Sequence, residues 1–243
     1  MPQRVGFEVA VWYINPFFKN TEGGPLYSME KELIIFDLDG TLIDSRDDIA
    51  RAVNATFAEM GYPVVDKDVI KDNIGWGVRA LLEKLLPEKD DATVERARKL
   101  FLDHYSENLM VDTHLYDGVV PTLEGLKERG KTLALVTNKP LGLSERIMEG
   151  FGIRGYFSAI LGGDSVANKK PHPEPIIKVM ELTGFTPERT LYVGDTGADL
   201  DASRGAGVDF IAVSYGFADI EELVRRGCRQ VIERIEELLG IVR

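Results

Sequence analysis

The sequence has little of several things that would settle a function class at once. It has a single cysteine, Cys228, which excludes an intrachain disulfide and a thiolate metal cluster and suits a reducing cytoplasm. It has three histidines, none in a setting that suits a ligand or base. His104 falls on a helical pattern among acids, His114 in a loop, and His172 between two prolines. Positive charge is scarce: 29 Lys and Arg stand against 40 Asp and Glu, for a net charge of −11. Without a basic stripe to neutralise phosphates, nucleic acid is excluded as the main partner. A small phosphate compound is not, because a metal ion and one lysine reverse the local field. No uninterrupted apolar run is long enough to span a bilayer, so no membrane partner is expected. There is no internal repeat and no low-complexity tract. What remains is an ordinary globular composition, 44% hydrophobic and 28% charged over 243 residues, enough for one large domain or two modest ones.

The stretch the rest serves is Ile34-Ile35-Phe36-Asp37-Leu38-Asp39-Gly40-Thr41-Leu42. The apolar run 33–36 reads as a buried strand. Strand side chains alternate, so Asp37 and Asp39 project to one side, roughly 6–7 Å apart. Gly40 lets the backbone turn at once and come close to a ligand. Paired carboxylates at the carboxyl end of a buried strand sit where open α/β sheets bind ligands. They suit a hard divalent cation, Mg²⁺ above all, and phosphate chemistry. Taken alone, an Asp-x-Asp-Gly is equally an acidic turn.

Residues 1–28 differ in character from the rest of the chain. Residues 9–18 are aromatic and apolar but interrupted by Asn15 and Pro16, and no small-residue cleavage site comes after them, so the segment is a poor signal peptide. Met29 stands just before the first strand, and the expectation is that translation starts there; the alternative is an added segment that packs on the body or on a partner. Asp44 and Ser45 offer caps for a helix carrying Ile49, Ala52, Val53, Phe57 and Met60. A second helix carries Val78, Leu81, Leu82, Leu85 and Leu86, and a third carries Val94, Ala97, Leu100, Phe101 and Tyr105. No strand interrupts 46–111, which reads as a helical insert after the first strand. Beyond Asp117 helices and strands alternate: helices over 119–129, 143–151, 173–182, 200–206, 220–226 and 235–239, strands over 132–136, 159–161, 191–193, 210–213 and 230–232. That alternation predicts an α/β fold, a Rossmann-like parallel sheet covered by helices on both faces.

Four strand ends carry polar residues that make sense together: Asp37 and Asp39; Thr137 and Asn138; Lys170 in Lys169-Lys170-Pro171-His172-Pro173; and Asp195 with Asp199 four residues on. Strand carboxyl ends share one edge of a parallel sheet, so these groups can meet in one crevice. Singly each has a plainer reading. Thr137-Asn138 is a strand-end turn, Lys169-Lys170 a solvated face, and Asp199 a helix N-cap.

Asp-x-Asp-Gly-Thr, then a strand with Thr-Asn, then Lys-Pro, then Gly-Asp-x-x-x-Asp, in that order, resembles the haloacid dehalogenase superfamily from Met29 to the end. The resemblance implies that Asp37 is a nucleophile forming an aspartyl-phosphate. It implies that Asp39 is the general acid and then base, its proton held partly by its neighbour's negative charge. It places Mg²⁺ on a carboxylate oxygen of Asp37, the main-chain carbonyl of Asp39 and the carboxylate of Asp195. Asp199 and Thr41 stand behind these, Thr137 and Asn138 hold phosphate oxygens, and Lys170 offsets the charge of Asp37 and the phosphoryl group.

An acid at position 39 favours phosphate ester hydrolysis over carbon–halogen cleavage. Gly194 ahead of Asp195, and Ser214-Tyr215-Gly216-Phe217, resemble the phosphoglycolate phosphatase branch, which carries a small helical cap where this chain has its insert. The resemblance therefore implies a core of 29–45 and 112–243, a cap of 46–111, hinges at 44–48 and 111–116, and 2-phosphoglycolate as substrate. Gly75-Trp76-Gly77, opening the second cap helix, is similar to that branch's Gly-x-Gly loop, or is a plain turn. Trp76 replaces the asparagine common there. Arg79 is placed to bind a substrate carboxylate bidentately, or faces water. A pyrophosphatase, a nucleotide or sugar-phosphate phosphatase, a phosphomutase, and a catalytically silent regulatory protein are the alternatives. The expected partner is a small phosphorylated metabolite, and the expected assembly a monomer or homodimer in the cytoplasm.

Overall fold

The first strand, β1 (Leu33–Phe36), consists of four apolar residues, all fully buried. A strand with no polar alternation needs cover on both faces. The computed structural model, which describes residues 29–243, supplies it. The expectations for 1–28 lie outside the described residues. From β1 the chain runs through β2 (Ile43–Asp44), α1 (Arg46–Met60), α2 (Lys67–Lys71), α3 (Val78–Leu85), α4 (Asp91–Glu107), β3 (His114–Leu115), α5 (Val119–Glu128), β4 (Thr132–Val136), α6 (Leu141–Gly150) and β5 (Phe157–Leu161). It continues through α7 (Glu174–Thr183), β6 (Thr190–Gly194), α8 (Gly197–Ala206), β7 (Asp209–Val213), α9 (Ile220–Arg225), β8 (Val231–Ile232) and α10 (Leu238–Ile241).

Six strands form one parallel sheet in the order β5-β4-β1-β6-β7-β8. Ile34 and Phe36 pack in one cluster with Leu123, Leu126 and Ile147; Leu33 and Ile35 pack in another with Ile176, Val179 and Tyr192. The sheet is thus covered on both faces, as expected. The chain fills the sheet to one side of β1 and then to the other, so the switch in strand order lies at β1, where such sheets open a crevice. Phe36 is level with Leu135 of β4 and Val193 of β6. The three strands therefore end together, and Asp37, Thr137 and Asp195 leave the same edge.

Helices α1 to α4 lie between β2 and β3. Val53 and Phe57 of α1 and Val94, Ala97, Phe101 and Tyr105 of α4 belong to the larger of those clusters. The linkers read as hinges contain an antiparallel pair, with Ile43 opposite Leu115 and Asp44 opposite His114; two-residue strands are too short to show a period in sequence. The buried Asp48 carboxylate ties the two linkers together. It accepts the N–H groups of Val111 (3.0 Å), Asp112 (3.1 Å) and Thr113 (2.9 Å), and the Thr113 hydroxyl (2.6 Å). Burial works against that charge, but the donors prevail and hold its pKa below the ordinary carboxylate value.

Several expectations need correction. Helix α2 carries no signal in the sequence pattern, because it is one turn long and buries only Ile70. Ser45 stands at the N-cap position of α1 but its hydroxyl makes no cap bond; it donates to Asp39 Oδ1 at 2.5 Å. The N-cap of α8 is Thr196, with Asp199 as the reciprocal third residue of a capping box. The closing helix is a 3₁₀ turn over Ile235–Glu237 followed by the short α10. No helix among the described residues is long and apolar enough to cross a membrane.

Candidate active site

The site forms where β1 stops. The Asp37 N–H donates to the Val193 carbonyl (2.9 Å), which holds Asp37 in line with the sheet. Gly40 then turns with φ of 81°, and a Cβ there would collide with the Asp195 carboxylate. Only a glycine lets the β1 loop lie this close to the end of β6. Asp195 is held at both oxygens, by the Thr41 hydroxyl on Oδ1 (3.0 Å) and the Phe217 N–H on Oδ2 (2.8 Å).

Lys170 is 1% exposed and sits at the centre. Its ammonium donates to Asp199 Oδ1 (2.6 Å), the Val136 carbonyl (2.9 Å) and the Tyr192 hydroxyl (2.8 Å). Asp37 Oδ1 lies 2.9 Å away as an ion pair, yet no donor is aligned on that oxygen. Asp199 Oδ2 accepts the N–H and the hydroxyl of Thr196 (2.9 and 2.6 Å). Each of Asp37, Asp195 and Asp199 offers an oxygen within 4.8 Å of the others. Three buried carboxylates thus face one ammonium. Burial, then the charge of Asp199, lifts the Asp37 carboxyl to about 7, against the pull of Lys170. Burial and the charges of Asp199 and Asp37 push Asp195 well above the ordinary carboxylate value. Burial also opposes the Lys170 ammonium, but Asp199 and Asp37 outweigh it and raise its pKa.

Asp39 is arranged differently. It lies between the Ser45 hydroxyl and Lys139, whose ammonium is 2.6 Å from Oδ1 and 2.8 Å from Oδ2. The sequence pattern pairs Asp39 only with another acid and does not mark Lys139, which is buried and also lies over the Tyr105 ring at 4.8 Å, as a site residue. Its one signal is its place two residues after the Thr137 strand end. Asn138 is a brace: its side-chain amide donates to the carbonyls of Gly75 and Lys170, both at 2.9 Å. It therefore joins the cap loop to the lysine loop.

The cleft above is lined by Asp37, Asp39, Thr137, Asn138 and Lys139 from the sheet edge, and by Ile74, Gly75, Gly77, Val78, Leu81, Phe101 and Tyr105 from the insert. Gly75 and Gly77 line this cleft, and Trp76 and Arg79 do not. Trp76 faces a separate cavity with Lys71, Thr196, Phe217 and Arg226. Arg79 points out to Glu83 of its own helix (2.7 Å) and to Asp91 at the start of α4 (2.5 Å). His104 pairs with Glu59, and His114 and His172 are exposed, all away from the cleft.

Comparison with known proteins agrees with this geometry. The sequence model of the haloacid dehalogenase-like hydrolase family matches residues 34–213. The phosphoglycolate phosphatase of Aquifex aeolicus (strain VF5) is 43% identical over 192 residues, 79% of this chain and 89% of the relative. That of Colwellia psychrerythraea is 36% identical over 217 residues, 86% of this chain and 96% of the relative. Among solved structures, a predicted phosphoglycolate phosphatase from Haemophilus somnus 129Pt superposes with a TM-score of 0.79 at 31% identity, covering 86% of this chain and 96% of the other. CbbY from Rhodobacter sphaeroides, solved in complex with phosphate, superposes with a TM-score of 0.71 at 28% identity, with the same coverage.

Proposed function

This chain belongs to the haloacid dehalogenase-like hydrolase family, and we propose that it is a Mg²⁺-dependent phosphatase that hydrolyses a small phosphomonoester, 2-phosphoglycolate, through an aspartyl-phosphate on Asp37. The observation that carries the reading is that residues distant in the chain gather at one strand edge: Asp37 and Asp199 pair with Lys170, and Asp195 brings an oxygen within 4.8 Å of oxygens of both acids. The names of the relatives support the substrate, and the phosphate complex of CbbY supports an anion site of this kind.

The donor set fits Mg²⁺. Its ligands are hard oxygens, Asp37 Oδ1 is buried with no donor aligned on it, and the carboxylates outnumber the nearby ammonium. Asp37, the Asp39 carbonyl and Asp195 would hold the ion, which when bound offsets charge on the phosphoryl oxygens. Asp37 attacks phosphorus and forms the acyl phosphate as the bond from phosphorus to the leaving oxygen breaks, and water then cleaves the acyl phosphate to release phosphate; Lys170 orients the Asp37 carboxylate. The Thr137 hydroxyl and the Asn138 N–H orient phosphoryl oxygens. Asp39 gives a proton to the leaving oxygen and later takes one from water. In the structure its carboxylate is engaged by Lys139, so delivering that proton requires it to come free of the ion pair. Asp199 and Thr41 hold Lys170 and Asp195 in place. Residues 46–111 form the cap and swing on the paired linkers. Closing excludes water, and opening releases product.

The test is Asp37→Asn assayed on an aryl phosphate. Turnover should fall by at least about 10³-fold, and turnover equal to wild type would sink the reading. Chelation should abolish activity. Ca²⁺ should not restore it, because its looser coordination misplaces the phosphoryl group. A panel of phosphoglycolate, pyrophosphate, nucleotides and sugar phosphates, compared by kcat/KM, tests the substrate.

A further inference from the structure

One ammonium at the seam between cap and core has no part in the proposed catalytic cycle. Lys169 is half-buried, and its Nζ lies against Gly77; a Cβ on Gly77 would collide with it, 3.6 Å from the Asn138 carbonyl. Gly77 and Asn138 both line the cleft over Asp37 and Asp39. The other lysines here are engaged, Lys170 by Asp37 and Asp199 and Lys139 by Asp39. The Lys169 ammonium has neither a hydrogen bond nor an ion pair among the described residues; Glu83 acts on it only from beyond pairing distance. Arg79 and Arg98 stand nearby, each already paired with acids of its own helix or the next. The acids at this rim, Glu83, Asp91 and Glu95, are taken up by the two arginines, which leaves the Lys169 ammonium as the charge there without a paired acid. Burial, together with the two guanidinium charges, presses the Lys169 pKa down, as expected of a partly desolvated cation short of an anion. The rest of the cap wall is apolar: Ile74, Val78, Leu81 and Phe101. Among the described residues, the one cation that itself lines the cleft, Lys139, is already paired with Asp39, and Lys169 stands directly behind Gly77 of the lining.

We propose that Lys169 is a specificity-determining residue, pairing its ammonium with a carboxylate on the leaving group of the substrate. This rests on the phosphatase reading and names what the enzyme selects: a phosphomonoester whose leaving alcohol carries a carboxylate about one methylene from the ester oxygen. Lys169 comes from the core and Gly77 from the cap, so such a substrate touches both bodies when the cap is shut. A neutral leaving group lacks that tie.

The experiment uses the full-length enzyme with Mg²⁺ and two substrates of one skeleton, 2-phosphoglycolate and 2-hydroxyethyl phosphate. The readout is the ratio of their kcat/KM values in wild type, Lys169→Met and Lys169→Arg. The ratio should fall at least about tenfold in Lys169→Met, mainly through KM for phosphoglycolate, and should recover most of the way in Lys169→Arg. Lys169→Gln gives the same comparison if the methionine variant fails to fold. A ratio that stays put, or a loss shared equally by both substrates, overturns the inference while leaving the phosphatase reading intact. A wild type inert toward both substrates and toward an aryl phosphate overturns the two together.

Discussion

The cleft has two walls of opposite character. The sheet-edge wall carries Asp37, Asp195, Asp199 and Lys170, all buried, with Lys170 bonded to Asp199 and the end of β4 and paired with Asp37, and Asp195 held by Thr41 and Phe217. The cap wall offers Ile74, Val78, Leu81 and Phe101, and its best-placed cation, Arg79, is turned outward onto Glu83 and Asp91. On the proposed reading, the charge that acts on phosphorus is thus built into the buried edge of the sheet, where a sub-ångström shift would be costly. The wall facing the leaving group is apolar and hangs on two linkers, held together by Asp48 and a two-residue strand pair. On the proposed reading chemistry belongs to the sheet edge and selection to the seam where Lys169 of the core meets Gly77 of the insert, and Lys139, between Asp39 and the Tyr105 ring, touches both bodies.

Variants on either wall test that division. The largest effect is expected from Lys170→Met, which leaves Asp37 and Asp199 facing each other without a counter-charge. Its kcat on an aryl phosphate should drop by about 10³-fold or more, and a loss under tenfold would move the chemistry off the sheet edge. Lys139→Met should lower kcat by about 10- to 100-fold with little change in KM. A change confined to KM would make Lys139 part of the binding wall instead.

The third expectation concerns stability without metal. Asp37 is raised to about 7 in the folded chain, against roughly 3.9 for a free aspartate. Between those values the folded state binds more protons than the unfolded one. This carboxyl's contribution to stability is therefore present below about pH 4 and lost as pH rises toward 7. With chelator present, the Tm of Asp37→Asn minus that of wild type should grow over that window by a few degrees and shrink when Mg²⁺ is added. A difference that ignores pH would mean the three carboxylates do not oppose one another as the geometry implies. The smallest effect belongs to Arg79→Ala, whose guanidinium is already satisfied at the surface; kcat/KM on phosphoglycolate should change by less than about twofold. A tenfold loss would show that Arg79 turns inward with substrate bound.

Much of the fold and site is legible in sequence because the informative residues are local. The unbroken apolar run 33–36, the Asp37/Asp39 pair and Gly40 announce a strand end at a ligand crevice within eight letters. The helices of the core lie within a few residues of where the pattern puts them, since amphipathic spacing reports one buried face. What the sequence left open or did not mark has a common cause. Lys139, Ser45 and Arg79, the last read either as a substrate ligand or as facing water, are residues whose placement depends on which partner wins. Asp39 outcompetes water for Lys139, Glu83 and Asp91 outcompete the cleft for Arg79, and Asp39 takes the Ser45 hydroxyl from the helix end. The β2–β3 pair has no period to read at two residues a strand.

Apolar periodicity and the order of polar strand ends, both properties of neighbouring residues, were enough to determine a layered α/β body with an acidic crevice and a helical insert. Which cations meet which carboxylates was decided only in three dimensions. Strand register brings the ends of β1, β4 and β6 to one edge, with Thr137 and Asp195 one residue beyond the level of Asp37, and side chains as far apart in the chain as Asp39 and Lys139, or Thr41 and Asp195, then settle by distance and burial, quantities that no local pattern contains.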